Sequence, residues 1–120
     1  METRLAEFFI GIRRGFDLKP WTTDKLFGEV AEVNGRLVGI CTDYLGNNET
    51  VNVYDIESGL SIASMAKEYF NSERLRDCVE DFDKDSALGG AWAELLKNFT
   101  ELTKAEYDKY PEIKKQVFEE

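Results

Sequence analysis

The apolar positions do not keep one period along this chain. Leu5, Phe8, Phe9, Ile12 and Phe16 recur at three- and four-residue intervals, which predicts a helix over 3–14, capped by Thr3 and ended by Gly15. The same run is aromatic and β-branched, so a strand over Phe8–Ile12 competes with it. A turn is expected over Asp17–Trp21, around Pro20. Leu26, Phe27, Val30 and Val33 return to helical spacing after the capping residue Thr23. Asn34-Gly35 suits either the end of that helix or a hairpin turn between two strands. Alternation fails over 26–33, which favours the helix.

A two-residue period then takes over. Residues 36–44 (RLVGICTDY) and 50–56 (TVNVYDI) are rich in strand formers, with Val51 and Val53 on one face and Asn52 and Tyr54 on the other. A turn at Gly46-Asn47-Asn48 makes them an antiparallel hairpin. From Ser61 the helical period resumes with Ile62, Met65, Ala66, Tyr69 and Phe70. Ser72 caps a second stripe of Leu75, Cys78, Val79 and Phe82. Asp85 or Ser86 caps a third, of Leu88, Ala91, Trp92, Leu95, Leu96, Phe99 and Leu102. This last stripe is the strongest helical signal. Trp92, Leu95, Leu96 and Phe99 are expected in the core, against Phe8, Ile12 and the Val38–Val53 face of the hairpin. Thr103-x-x-Glu106 reads as a capping box opening a final helix, and Pro111 restarts it over Glu112–Phe118. The expected fold is α+β: a mainly helical single domain over 1–120 with a small antiparallel β-hairpin packed on the helices.

Composition supports a folded chain. Its 120 residues are 42% apolar, enough for a core without staples. Charge narrows the partners. There are 24 acidic and 15 basic residues, a net charge of −9 spread along the sequence. Such a surface repels nucleic acid and anionic lipid and attracts a basic protein partner. No apolar run is long enough to span a membrane, and the two cysteines, Cys41 and Cys78, are expected to be reduced in a cytoplasmic protein.

Missing residue types exclude much chemistry. Without histidine there is no Ser-His-Asp triad, no Cys-His pair and no histidine-bearing zinc site. No phosphate-binding glycine loop is present, so neither cofactor nor catalysis is expected. Asp81, Asp83 and Asp85 match the first, third and fifth positions of a calcium loop and are weak metal candidates. Ser86 replaces the loop's turn glycine, and Trp92 stands where a bidentate Glu is required, so no metal is expected.

The densest acid lies in SERLRDCVEDFDKD, residues 72–85. Glu73, Asp77 and Asp81 fall four residues apart, a repelling row that Arg76–Glu80, Glu80–Lys84 and Arg74–Asp77, all at pairing spacing, roughly balance. Glu73, Asp77, Glu80 and Asp81 are therefore the candidate partner-binding residues. Tyr107, Tyr110, Ile113, Val117 and Phe118 form a weaker stripe, read either as core or as a homodimer face on the C-terminal helices. In size and charge the chain is similar to small antirestriction, anti-CRISPR and toxin-immunity proteins; no motif carries that similarity and no residue transfers. The expected function is a small acidic, non-enzymatic binding protein: an inhibitor or DNA mimic of a phage or mobile element, acting on a basic nucleic-acid-binding partner. The alternatives are a carboxylate- or metal-dependent enzyme using Asp81, Asp83 and Asp85, and a structural homo-oligomer.

Overall fold

Strands, not helices, build the first half of the chain. The computed structural model describes residues 2–14, 18–42 and 49–118. Strands β1 (Arg4–Arg14), β2 (Leu18–Val33), β3 (Arg36–Cys41), β4 (Thr50–Asp55) and β5 (Ser61–Ala66) form one sheet in chain order, every neighbour antiparallel. A 3₁₀ turn over Lys67–Tyr69 leads to helices α1 (Ser72–Ser86), α2 (Gly90–Lys109) and α3 (Pro111–Phe118).

The mainly helical expectation is thus overturned. The segments read as helices over 3–14, 23–33 and 61–70 fall on β1, on β2, and on β5 with its 3₁₀ turn. The physical reason differs for each. Ala6, Phe8 and Ile10 are buried on one face of β1 and Phe9 on the other. Burial on both sides erases the alternation that marks a strand. In β2, Leu26 and Val30 lie on one face and Phe27, Ala31 and Val33 on the other, where Phe27 is 61% exposed and Ala31 and Val33 are buried. Apolar residues on both faces imitate helical spacing. The turn expected around Pro20 is also absent, because Leu18–Trp21 continue β2 and Leu18 pairs with Arg14. Gly15, Phe16, Asp17 and the Gly46-Asn47-Asn48 turn lie outside the described residues.

Asn34-Gly35 resolves as the hairpin turn. Both residues have positive φ, 53° and 80°, and Val33 pairs directly with Arg36. Left-handed conformation at both central positions is what a two-residue hairpin between twisted strands needs. The expected β3–β4 hairpin is present, but as the middle of the sheet, flanked by β2 and β5.

The sheet packs through two clusters. Ala31, Val33, Val38, Ile40, Val51 and Val53 meet Leu75 and Val79 of α1. The opposite face gathers Phe8, Val30, Cys41 and Tyr54 into a cluster that extends to Tyr107, Ile113 and Val117 on α2 and α3. The sheet curls until the outer edge of β1 reaches the turn after β4. The Gly11 N–H donates to the Gly59 carbonyl at 2.9 Å, and the Phe9 N–H donates to the Tyr107 hydroxyl at 3.0 Å. The Arg4 guanidinium donates to the carbonyl oxygens of Gln116 and Val117. Gly59 has φ +73°, and a Cβ there would stand 2.6 Å from the Gly11 nitrogen, so only glycine permits this closure. An edge that would otherwise invite another strand is covered.

The core of α2 is displaced from the expected position. Phe99, Thr103 and Tyr107 are its buried residues, whereas Trp92, Leu95 and Leu96 are half-buried. Phe99 presses against Gly11, and α1 rather than α2 covers the Val38–Val53 face. Gly89 and Gly90 both have positive φ and delay the helix start, leaving Leu88 outside it and 80% exposed. The helix runs unbroken through Thr103, so no capping box forms there. Its hydroxyl donates instead to the Ser58 carbonyl at 2.9 Å. Asn71, not Ser72, caps α1 by accepting the Arg74 N–H at 2.8 Å. Pro111 does open α3.

Candidate partner-binding surface

The buried stripe of α1 decides where its acids go. Leu75, Val79 and Phe82 turn to the interior. With about 100° between successive helical residues, Glu73, Asp77, Glu80 and Asp81 must then face outward, and all four are exposed. Glu80 is paired with Lys84 at 3.2 Å in an open, solvated contact. Glu73, Asp77 and Asp81 have no cation within salt-bridge distance among the described residues. Successive members of this row are about 6 Å apart along the helix axis. The structure therefore brings together the four residues singled out from the sequence and, among the described residues, gives three of them no ionic partner.

The metal candidates diverge. Asp81, Asp83 and Asp85 lie within α1 rather than on a loop. Residues two apart on a helix point to nearly opposite sides. Asp83 turns sideways to Arg36, while Asp81 and Asp85 face solvent. Among the described residues no three acidic or cysteine side chains gather as a metal site would require.

The cysteines are equally quiet. Cys41 is buried in β3, and Cys78 is half-buried on α1. Burial, then the neighbouring Asp81 and Asp77, push the Cys78 thiol above its ordinary value, against a smaller opposing effect of Arg74. Such a group stays protonated and is a poor nucleophile.

One constellation escaped the sequence reading. Arg36, at the start of β3, reaches Asp55 at 3.0 Å and Asp83 at 2.6 Å, with its guanidinium 4.9 Å from the centre of the Phe82 ring. Asp55 is 1% exposed and also accepts the Ser58 hydroxyl at 2.6 Å and the Ser58 N–H at 3.2 Å. The Ser58 hydroxyl in turn accepts the Leu60 N–H, and the Ser58 carbonyl accepts Thr103. Burial works against the Arg36 charge, but its contacts with Asp55 and Asp83 outweigh it and hold the guanidinium above its ordinary value. This network ties β3, the β4–β5 turn, α1 and α2 together. Asp55 and Ser58 are shut off from solvent, so it is a structural hub. A signal was present: Asp-Ile-Glu-Ser-Gly after an alternating strand is a turn in which a carboxylate can hold the main chain.

The C-terminal stripe divides in the same way. Tyr107, Ile113 and Val117 are core residues, which leaves only Tyr110 and Phe118 of the supposed dimer face exposed. Among the described residues no helix is long and apolar enough to cross a membrane. No protein-family model matches the chain, and neither a curated protein nor a solved structure matches it.

Proposed function

We propose that this acidic α+β protein works by binding rather than by catalysis, and that the outer face of α1 docks on a basic surface of another protein. The observation that carries this reading is the row Glu73, Asp77 and Asp81: exposed carboxylates at one-turn spacing on one helix, without an ionic partner among the described residues. The helix is held by Leu75 and Val79, so the row needs no ordering when a partner arrives. A linear array of fixed negative charge suits a surface that otherwise grips phosphates, and nucleic-acid-binding proteins in the cytoplasm are the partner class that fits. The net charge of −9 adds long-range attraction, which acts mainly on the association rate.

The test uses a basic DNA-binding protein recovered on the immobilised chain. Association rates of the wild type and of the Asp77→Lys/Asp81→Lys variant are measured at low and high salt. The variant should associate at least about tenfold more slowly at low salt and show a flatter salt dependence. Duplex DNA should compete with the wild type for the recovered protein. Equal low-salt rates for the two chains would remove α1 as the contact.

A further inference from the structure

The sheet has two edges, and among the described residues only one is closed. Turn, helix and side-chain contacts cover β1, as described above. At the other edge, the Lys67 N–H donates to the Glu49 carbonyl at 2.8 Å and extends the β4–β5 ladder. In an antiparallel ladder alternate residues point their main chain at the partner strand. Ala63 and Met65 therefore face β4, and Ser64 and Ala66 turn their N–H and C=O groups away from the sheet. No main-chain partner meets Ser64 or Ala66 among the described residues. The strand reads SIASMA, with no charge and no proline, and its one register irregularity lies at the Ser61–Ala63 end, so Ser64 to Ala66 keep a regular edge. Charge, proline and bulges are the devices by which an edge is usually protected. An open groove of about 640 Å³ lies at the end of the strand, lined by Glu49, Thr50, Ala66, Lys67 and Glu68.

We infer that the β5 edge accepts an extended, basic segment of the partner protein as an added strand. The inference rests on the α1 reading and specifies how that partner is held. Outward main-chain donors and acceptors at strand spacing are satisfied by another strand, and β-strand addition draws its affinity from those bonds. Charge selects the occupant. Glu68 lines the groove beside Lys67, α1 packs against β5 through Leu75 and Val79 and carries its acidic row on its outer side, and the whole chain carries −9. A second copy brings the same negative charge, whereas a lysine-bearing segment is attracted.

The probe is a synthetic peptide of about eight residues, a common strand length, alternating lysine with valine and threonine. A matched peptide carries glutamine for lysine. Binding is followed by amide hydrogen exchange of the full chain. The lysine peptide should slow exchange at Ser64 and Ala66 by roughly tenfold and bind more tightly than the glutamine peptide. Ser64→Pro removes a donor and should weaken binding roughly fivefold. Ser64→Lys, which leaves the main chain intact, should weaken it as well. Asp77→Lys/Asp81→Lys should slow association yet leave the protection pattern unchanged. Binding without protection at Ser64 and Ala66 overturns strand addition and leaves the α1 reading standing. Equal binding of the two peptides removes the basic character of the segment. No binding of the lysine peptide, or protection that appears with protein concentration alone, overturns the inference; the latter assigns the edge to a second copy.

Discussion

The ring of Phe8, on β1, reaches across β2 and lies against Gly39 on β3. A Cβ on Gly39 would stand 2.6 Å from a ring carbon, and one on Gly28, in the intervening strand, would stand 3.3 Å from the same ring. The curl of the sheet thus depends on a large residue meeting two absent side chains. Gly39→Ala should cost about 1–3 kcal/mol through overpacking, read as a lower urea midpoint at unchanged slope. Phe8→Leu should destabilise the wild type, yet cost less in the Gly39→Ala background. Additive losses would show that the two residues do not share the space.

Arg36 and Asp55 make a second coupled pair. Asp55 is buried, and Arg36 is the only cation paired with it among the described residues. Arg36→Met leaves that carboxylate buried without a countercharge. The loss should be about 3–5 kcal/mol, the range for breaking a buried pair from one side. Asp83→Asn, at the more exposed end of the same guanidinium, should cost about 1 kcal/mol or less. Urea unfolding of the two variants checks the order; a reversed order would place the hub at Asp83.

What the sequence revealed follows from how each segment is buried. β3 and β4 were legible because polar and apolar residues alternate cleanly in Thr50–Asp55, and α1 because Leu75, Val79 and Phe82 leave a full polar face. β1 was not, because Phe8 and Phe9 are buried on opposite sides and any period fits a continuous apolar run. β5 was misread because Ile62 and Met65 lie at helical spacing while small residues fill the remaining positions. The acidic face was legible, since charge on a helix needs only the helix to place it. The Arg36 hub was not, because Asp83 and Thr103 come to the paired β3 and β4 strands from α1 and α2, far along the chain, and only helix packing brings them there.

The centre of α2 gives a direct comparison. Phe99 is fully buried against Gly11, while Leu95, one turn earlier, is only half-buried. Phe99→Ala should cost about 3–5 kcal/mol, and Leu95→Ala about 1 kcal/mol, below the 2–5 kcal/mol of a fully buried leucine. Equal losses by thermal or urea unfolding would move the core of α2 back toward Trp92.

Tyr107 links the helices to the β1 edge and gives the fold an alkaline limit. Burial raises its hydroxyl, the N–H of Phe9 lowers it by a smaller amount, and Asp55 raises it further; the result is about 12. An unfolded tyrosine titrates near 10. Below pH 10 both states hold the proton, and Tyr107 contributes no slope. Between 10 and 12 the unfolded chain releases it while the folded chain keeps it, so stability falls as pH rises, by about 1.4 kcal/mol per unit. Tyr107→Phe removes this titration and leaves the Phe9 N–H without its acceptor, a loss of about 1–3 kcal/mol at neutral pH. Lysines and arginines titrate alike in both chains, so their contributions cancel in the difference between wild type and variant. That difference, measured by urea unfolding across the alkaline range, should be constant up to pH 10 and then shrink or change sign toward 12. A gap that stays constant would mean that Tyr107 titrates as it does in the unfolded chain, and that its hydroxyl is not buried against β1.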